Sequence, residues 1–134
     1  MAALIDSCVL IDIERGHYRL EDLEPLGRAV ISAITVGELS MGIELMQSAA
    51  KRARASSFLE TVVRVLPCIA IDEAVGRTFG QIASDLRRRG MPIGAHDTWI
   101  AATAITHGHT VLTDNIQHFE CVEGLKFQRW SQER

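Results

Sequence analysis

Four acidic residues fall where apolar runs of this chain give out: Asp6 in AALIDSCVLI, Glu38 in AITVGELSMG, Asp97 in GAHDTWIAATAITH and Asp114 in VLTDN. Moving an unpaired carboxylate into apolar surroundings is costly, so acids at such places need a reason. One reason is chemical. Carboxylates gathered from distant parts of a chain repel one another, which raises their pKa values or spreads them apart unless a cation sits among them. Oxygen ligands completed by water suit Mg²⁺ or Mn²⁺ better than zinc. Zinc spacing is absent in any case: His107 and His109 flank Gly108 with no cysteine near. Each acid also has a structural reading. Thr35 to Glu38 fits the capping box T-x-x-E, Asp97 is a natural N-cap ahead of an apolar run, and Asp114-Asn115 suits a turn. Asp72, in CIAIDEAVG, has only its position to recommend it and reads as a cap. Asp6 is harder to explain this way, because Ser7 offers a cap without it.

The elements that would position these acids alternate along the chain. Short apolar runs at Ala3–Ile5, Ala29–Ile34, Leu66–Ile71, Thr110–Thr113 and Leu125–Gln128 read as strands, and their continuous apolarity is the habit of parallel strands covered on both faces. Between them, Val75, Phe79, Ile82 and Leu86 form a stripe at helical spacing closed by Gly90. Asp97 to His107 is a helix rich in small residues and ended by Gly108. Helices are also expected over Val36–Met46 and Lys51–Val63, with RGMPIGAHD as the conspicuous loop. Such alternation implies an α/β domain with a mainly parallel sheet. Ligands of open parallel sheets bind beyond the carboxyl ends of the strands, where the four acids fall.

Composition narrows the class of protein. The 134 residues, 47% hydrophobic and 23% charged, are enough for one globular domain with a real core and unlike a disordered chain. No apolar run is long enough to span a membrane, and the N-terminus lacks the basic start of a secretory signal. Cys8, Cys68 and Cys121 are odd in number and widely spaced, as expected of reduced core thiols in a cytoplasmic protein. The net charge of −3 decides nothing about nucleic acid, which needs only a local basic face. Lys51, Arg52 and Arg54, or Arg87, Arg88 and Arg89, could supply one, although each cluster also reads as a solvated helix face. Few aromatic residues argue against binding by base stacking, and Trp99 and Trp130 read as core anchors. His96 and His118 fall near the acids, with a surface-loop role the plainer reading.

Four stretches in order, LIDSCVLI, ITVGELSMG, RGMPIGAHDTWIAATAITHG and the segment from VLTDN to Trp130, resemble the PIN-domain ribonucleases and, within them, the VapC toxins of toxin–antitoxin modules. The resemblance spans nearly the whole chain and implies a single PIN domain over residues 1–134: a three-layer α/β/α sandwich around a mainly parallel sheet of four or five strands. It implies metal-dependent cleavage of RNA, with Mg²⁺ or Mn²⁺ held by Asp6, Glu38 and Asp97. Two departures stand out. The family opening is usually D-T-S or D-T-N, whereas here it is Asp6-Ser7-Cys8. Near the fourth strand, either Asp114 or Asn115 would complete the site.

On this reading Asp6 and Asp97 ligate directly, Glu38 ligates or orients the attacking water, and Asp114 or Asn115 holds an outer water. Ser7 and Thr113 hydrogen-bond the carboxylates, and Arg87 to Arg89 hold the RNA backbone. The resemblance further implies a cognate VapB-type antitoxin that covers the acidic pocket, and pairing as a homodimer. Two competing readings are a phosphotransferase with an aspartyl nucleophile and a degenerate PIN domain that binds without catalysis. The first would want an acid at Cys8, and the second is opposed by the retention of all three principal acids.

Overall fold

The computed structural model describes residues 1–131. Five strands form one sheet: β1 (Ala3–Ile5), β2 (Ala29–Ser32), β3 (Cys68–Ile69), β4 (Thr110–Thr113) and β5 (Lys126–Arg129). Their order is β3-β2-β1-β4-β5, and every neighbouring pair is parallel. The helices are α1 (Ser7–Glu14), α2 (Ala33–Glu44), α3 (Ala49–Val65), α4 (Glu73–Arg88), α5 (Ala95–His107) and α6 (Ile116–Phe119), with a 3-10 segment at Leu20–Leu26. None of them is long and apolar enough to cross a membrane.

Successive strand side chains point to opposite faces, and each face has its own core. Leu4, Val30 and Val111 pack with Val75, Ile82 and Leu86 of α4, Ile100 and Ala101 of α5, and Phe119 of α6. Ile5, Ile31 and Leu112, one residue further along their strands, pack on the other face with Val9, Leu10 and Ile13 of α1, Val62 of α3 and Trp130. Helices therefore cover both faces, giving the three-layer α/β/α architecture that the alternation of elements predicts. Both tryptophans belong to packing: Trp99 stacks on Phe79 with ring centroids 3.9 Å apart, and Trp130 is buried against Tyr18.

The chain passes from β1 to β2 and β3 on one side and returns to β4 on the other side of β1. The order reverses between β1 and β4, and a crevice opens there at the carboxyl edge. α4 and α5 are antiparallel neighbours: Thr78 near the start of α4 meets Thr106 near the end of α5 at 2.9 Å. The far end of α4 thus lies beside the start of α5. Gly90 (φ 69°) and Gly108 (φ 70°) take the left-handed conformation after α4 and α5, as their place beyond the apolar stripes predicts.

Several expected boundaries shift: β3 is Cys68–Ile69 within the expected Leu66–Ile71, and β5 is Lys126–Arg129, one residue later than expected. β2 stops at Ser32, not Ile34, because the Ser32 hydroxyl accepts from Ile34 N and caps α2. The capping box proposed for Thr35–Glu38 is consequently absent, and Glu38 lies inside the helix. Asp97 is not an N-cap either. Gly94 holds that position, and Asp97 sits in the first turn of α5, where its charge complements the helix dipole. Asp72 does cap α4, accepting from Val75 N at 3.0 Å. The cysteines are not core thiols as a group: Cys68 is exposed, and Cys8 and Cys121 are half-buried.

The two-faced core sets the expected response to truncation. Leu4 is fully buried, whereas Leu45 at the end of α2 is 72% exposed. Leu4→Ala is expected to destabilise the fold by about 2–5 kcal/mol and Leu45→Ala by no more than about 0.5 kcal/mol, as read by urea denaturation.

Candidate active site

Asp6 directly follows β1 and caps α1, with Ser7 N donating to Oδ1 at 2.9 Å. From the adjacent strand β4, Thr113 donates its hydroxyl to Asp6 Oδ2 at 2.8 Å, and the Cys8 thiol lies 3.6 Å from the same oxygen. The residue is only 3% exposed. Burial pushes its pKa up, opposed by the bonds from Thr113 and Ser7 and reinforced by the negative charge of Asp97. Asp6 forms no ion pair among the described residues, and burying an unpaired carboxylate is costly.

Glu38 reaches the same place from α2. Burial is again the main cause of its raised pKa; His96 opposes the shift, and the charges of Asp6 and Asp97 add to it. Asp97 comes from the first turn of α5. Three acids from three separate elements therefore act on one another through space at the carboxyl edge. A histidine meets each of Glu38 and Asp97. His96 Nδ1 lies 3.1 Å from Glu38 Oε2, and His118 Nδ1 lies 2.7 Å from Asp97 Oδ2. His96 is exposed and His118 half-exposed, yet each meets an acid, and the sequence carries no local sign of either partner.

The other expected site residues are placed as follows. Thr113 is fully buried and joins Asp6 to the next turn, because its hydroxyl also accepts from Asn115 N at 2.9 Å. Ser7 meets Asp6 through its backbone N–H. Asp114 Oδ1 accepts from both Ser131 N and Ser131 Oγ, at 2.8 and 2.9 Å, so this oxygen serves the segment after β5. Asn115 occupies the N-cap position of the short α6, with no capping bond from its side chain. The Cys8 thiol, pushed up to about 11 chiefly by burial and then by Asp6, is an un-ionised neighbour of the site. Of the three arginines, Arg89 is committed elsewhere. It pairs with Asp85 at 2.7 Å and donates to the Cys121 carbonyl at 2.7 Å, while Arg87 and Arg88 carry no ion pair among the described residues.

Among the described residues, no three His, Cys, Asp or Glu side chains are gathered tightly enough to enclose an ion unaided. The donor set still fits Mg²⁺, which keeps several waters and is commonly held by one or two carboxylates together with substrate phosphate. Thr35 adds a second indication. It stands one turn before Glu38 on the same side of α2, is fully buried, and its hydroxyl has no partner among the described residues. A buried polar group of that kind is satisfied by a bound water or ion.

A family model described as PIN domain matches residues 3–124. The chain is 34% identical over 126 residues to a Ribonuclease VapC1 of Rickettsia felis, with 94% of each covered. It is 33% identical over 105 residues to a tRNA(fMet)-specific endonuclease VapC of Shigella flexneri, covering 78% of this chain and 77% of that one. In the DNA-bound VapBC structure from Salmonella typhimurium, one chain superposes with a TM-score of 0.88 at 27% identity, over 98% of this chain and 99% of that one. The family model spans most of the chain and the Rickettsia felis relative is 34% identical over 94% of it, so the chain belongs to the PIN-domain family, among the VapC ribonucleases.

Proposed function

We propose that this protein is a divalent-metal-dependent endoribonuclease, the toxin of a toxin–antitoxin pair, which cuts structured RNA and is inhibited by a VapB-type antitoxin. The observation that carries the reading is the mutual approach of Asp6, Glu38 and Asp97 at the β1–β4 crevice, close enough for each acid's charge to be felt by another. Transfer RNA is the substrate class placed first, since one relative is named for it.

Asp6 and Asp97 would hold Mg²⁺ or Mn²⁺, with Glu38 as a third ligand or as the group that orients the attacking water. Bound there, the ion would offset the phosphodiester charge and supply a water of lowered pKa for in-line attack. Ser7 N and Thr113 Oγ1 fix Asp6 in advance, so little orientation is left to lose at the moment of reaction. Asp114 or Asn115, at the turn after β4, would hold an outer water. Arg87 and Arg88 would bind RNA phosphates, whereas Arg89 is tied to α4 and to the turn after α6.

A mainly apolar groove of about 260 Å³, lined by Leu10, Ile11, Leu39, Ile43 and Phe58 and also by Glu14 and Arg15, includes Glu38, and the side chains of Met41 on α2 and Leu45 just beyond it lie exposed. A mainly apolar groove that includes an acid of the site supports a protein partner able to cover both. Pairing of two copies belongs to the same reading, as does residence in the cytoplasm, where the RNA is.

Cleavage of RNA should require Mg²⁺ or Mn²⁺ and stop with a chelator. Asp6→Asn and Asp97→Asn should each lower kcat by at least about 100-fold, the equivalent of the several kcal/mol that an ion supplies. Metal-dependent stabilisation of the fold without any cleavage would favour the binding-module reading.

The raised pKa values predict an unusual pH response in chelator. A raised folded value means that the folded state holds its proton where the unfolded chain has lost it, so stability falls as pH rises through that window. Asp6→Asn removes one such group while keeping an N-cap of equal quality. In thermal melts the variant should match the parent below the carboxylate range and exceed it at neutral pH. A parent at least as stable as the variant at neutral pH would contradict the charge penalty at Asp6.

Arg87→Ala and Arg88→Ala should weaken RNA binding at low salt and each reduce the slope of log affinity against log salt by about 0.7.

A further inference from the structure

The corner between β4 and α6 is tied down more firmly than four residues of helix require. At its start, Asn115 N donates to Thr113 Oγ1, whose own proton goes to Asp6 Oδ2. At its end, Phe119 is fully buried in the core shared with α5. Just beyond, the Cys121 thiol lies 3.5 Å from the His118 carbonyl, and the Cys121 carbonyl accepts from Arg89. His118 stands between these anchors, and its Nδ1 lies 2.7 Å from Asp97 Oδ2. A fixed path of hydrogen bonds and backbone thus links Asp6 Oδ2 through Thr113, Asn115 and His118 to Asp97 Oδ2. The path closes a bridge across the crevice between two acids that belong to different helices.

We propose that His118 is a positioning residue of the acidic site. With a proton on Nδ1, it donates to Asp97 Oδ2 and holds that carboxylate in the orientation that receives the divalent ion. The proposal rests on the reading of Asp6, Glu38 and Asp97 as the ion-binding acids, and adds a group that acts through one of them.

Geometry favours this role over a purely structural one. Asp97 is about one-fifth exposed and the His118 ring nearly half, at 20% and 45% of their side-chain surfaces, so burying the pair contributes little to the core. The backbone that carries the ring is what the neighbouring bonds fix. A carboxylate on the first turn of a helix has several rotamers open to it. A donor on a rigid support selects one of them, and groups that orient a metal ligand in this way commonly influence metal affinity about 10–100-fold.

The test uses the full chain, with Mn²⁺ as the probe. Binding is read by the electron paramagnetic resonance of free Mn²⁺, without any RNA present. His118→Ala should bind Mn²⁺ about tenfold or more weakly, keep its circular dichroism and lose little thermal stability. His118→Asn, whose amide nitrogen can donate from nearly the place of Nδ1, should bind within about threefold of the parent. With an RNA oligonucleotide at limiting metal, kcat of the alanine variant should fall in proportion while KM for RNA holds, and added metal should restore it.

A metal-free readout is the tautomer. Long-range proton–nitrogen correlation spectra at roughly pH 8 should find the His118 proton on Nδ1. A proton on Nε2 would overturn the proposal, as would an alanine variant that binds Mn²⁺ as tightly as the parent. An asparagine variant as defective as alanine would overturn it in favour of the imidazole as a ligand. Failure of the parent to bind Mn²⁺ would instead remove the ion-binding reading itself, and this proposal with it.

Discussion

The structure depends on a carboxylate kept where solvent hardly reaches it. Asp6 directly follows the central strand and is almost wholly buried, and the hydrogen bonds it accepts from Thr113, Ser7 N and the Cys8 thiol offset only part of the desolvation cost. An asparagine would cap α1 as well without the penalty of a buried charge. The fold nevertheless brings two more acids toward the same point, and the charge of Asp97 makes ionisation of Asp6 and of Glu38 less favourable. Fold stability gains nothing from this convergence. A shared cation would turn the repulsion into attraction, and that gives the arrangement a physical purpose.

Much of this was legible in the sequence. β1 and β4 have the bounds that their apolar runs predict, and α5 ends at Gly108 as its pattern predicts. These segments are bordered by residues that abruptly change character. The apolar pattern extends β2 two residues too far because Ile34 is apolar and the pattern passes unbroken into α2, while the capping hydroxyl of Ser32 lies inside what looks like a strand. β3, at one edge of the sheet, has only two paired residues. The partners of His96 and His118 were out of reach for another reason. Glu38 is 58 residues from His96, and Asp97 is 21 from His118, so no local spacing encodes either contact.

The arginine cluster shows how helical geometry sorts like charges. In sequence Arg87, Arg88 and Arg89 form one basic run. Only Arg89 stands four residues beyond Asp85, the separation at which side chains on a helix surface meet, and it pairs there with its guanidinium fork. The same fork reaches the Cys121 carbonyl and so helps hold the turn beyond α6. One arginine thereby belongs to the scaffold beneath the site, and the two before it keep their charge for solvent or for a polyanion.

Register decides which residue of VLTDN meets Asp6. β4 lies parallel to β1 with Leu112 beside Ile5, and to β5 with Thr113 beside Arg129. Val111 and Leu112 occupy opposite cores, so a slip of one residue would exchange the two faces of the central sheet at once. That large cost pins Thr113 at the strand end, where its hydroxyl meets Asp6. Asp114 falls one place beyond the last pair, next to the chain leaving β5, and Ser131 takes its Oδ1. The uncharged partner suits the buried position. A hydroxyl can donate to Asp6 and accept from Asn115 at the same time, whereas an aspartate there would face Asp6 with a second negative charge and no proton to offer. The apolar alternation of one short strand therefore places a neutral donor beside the deepest acid and leaves the charged residue at the rim.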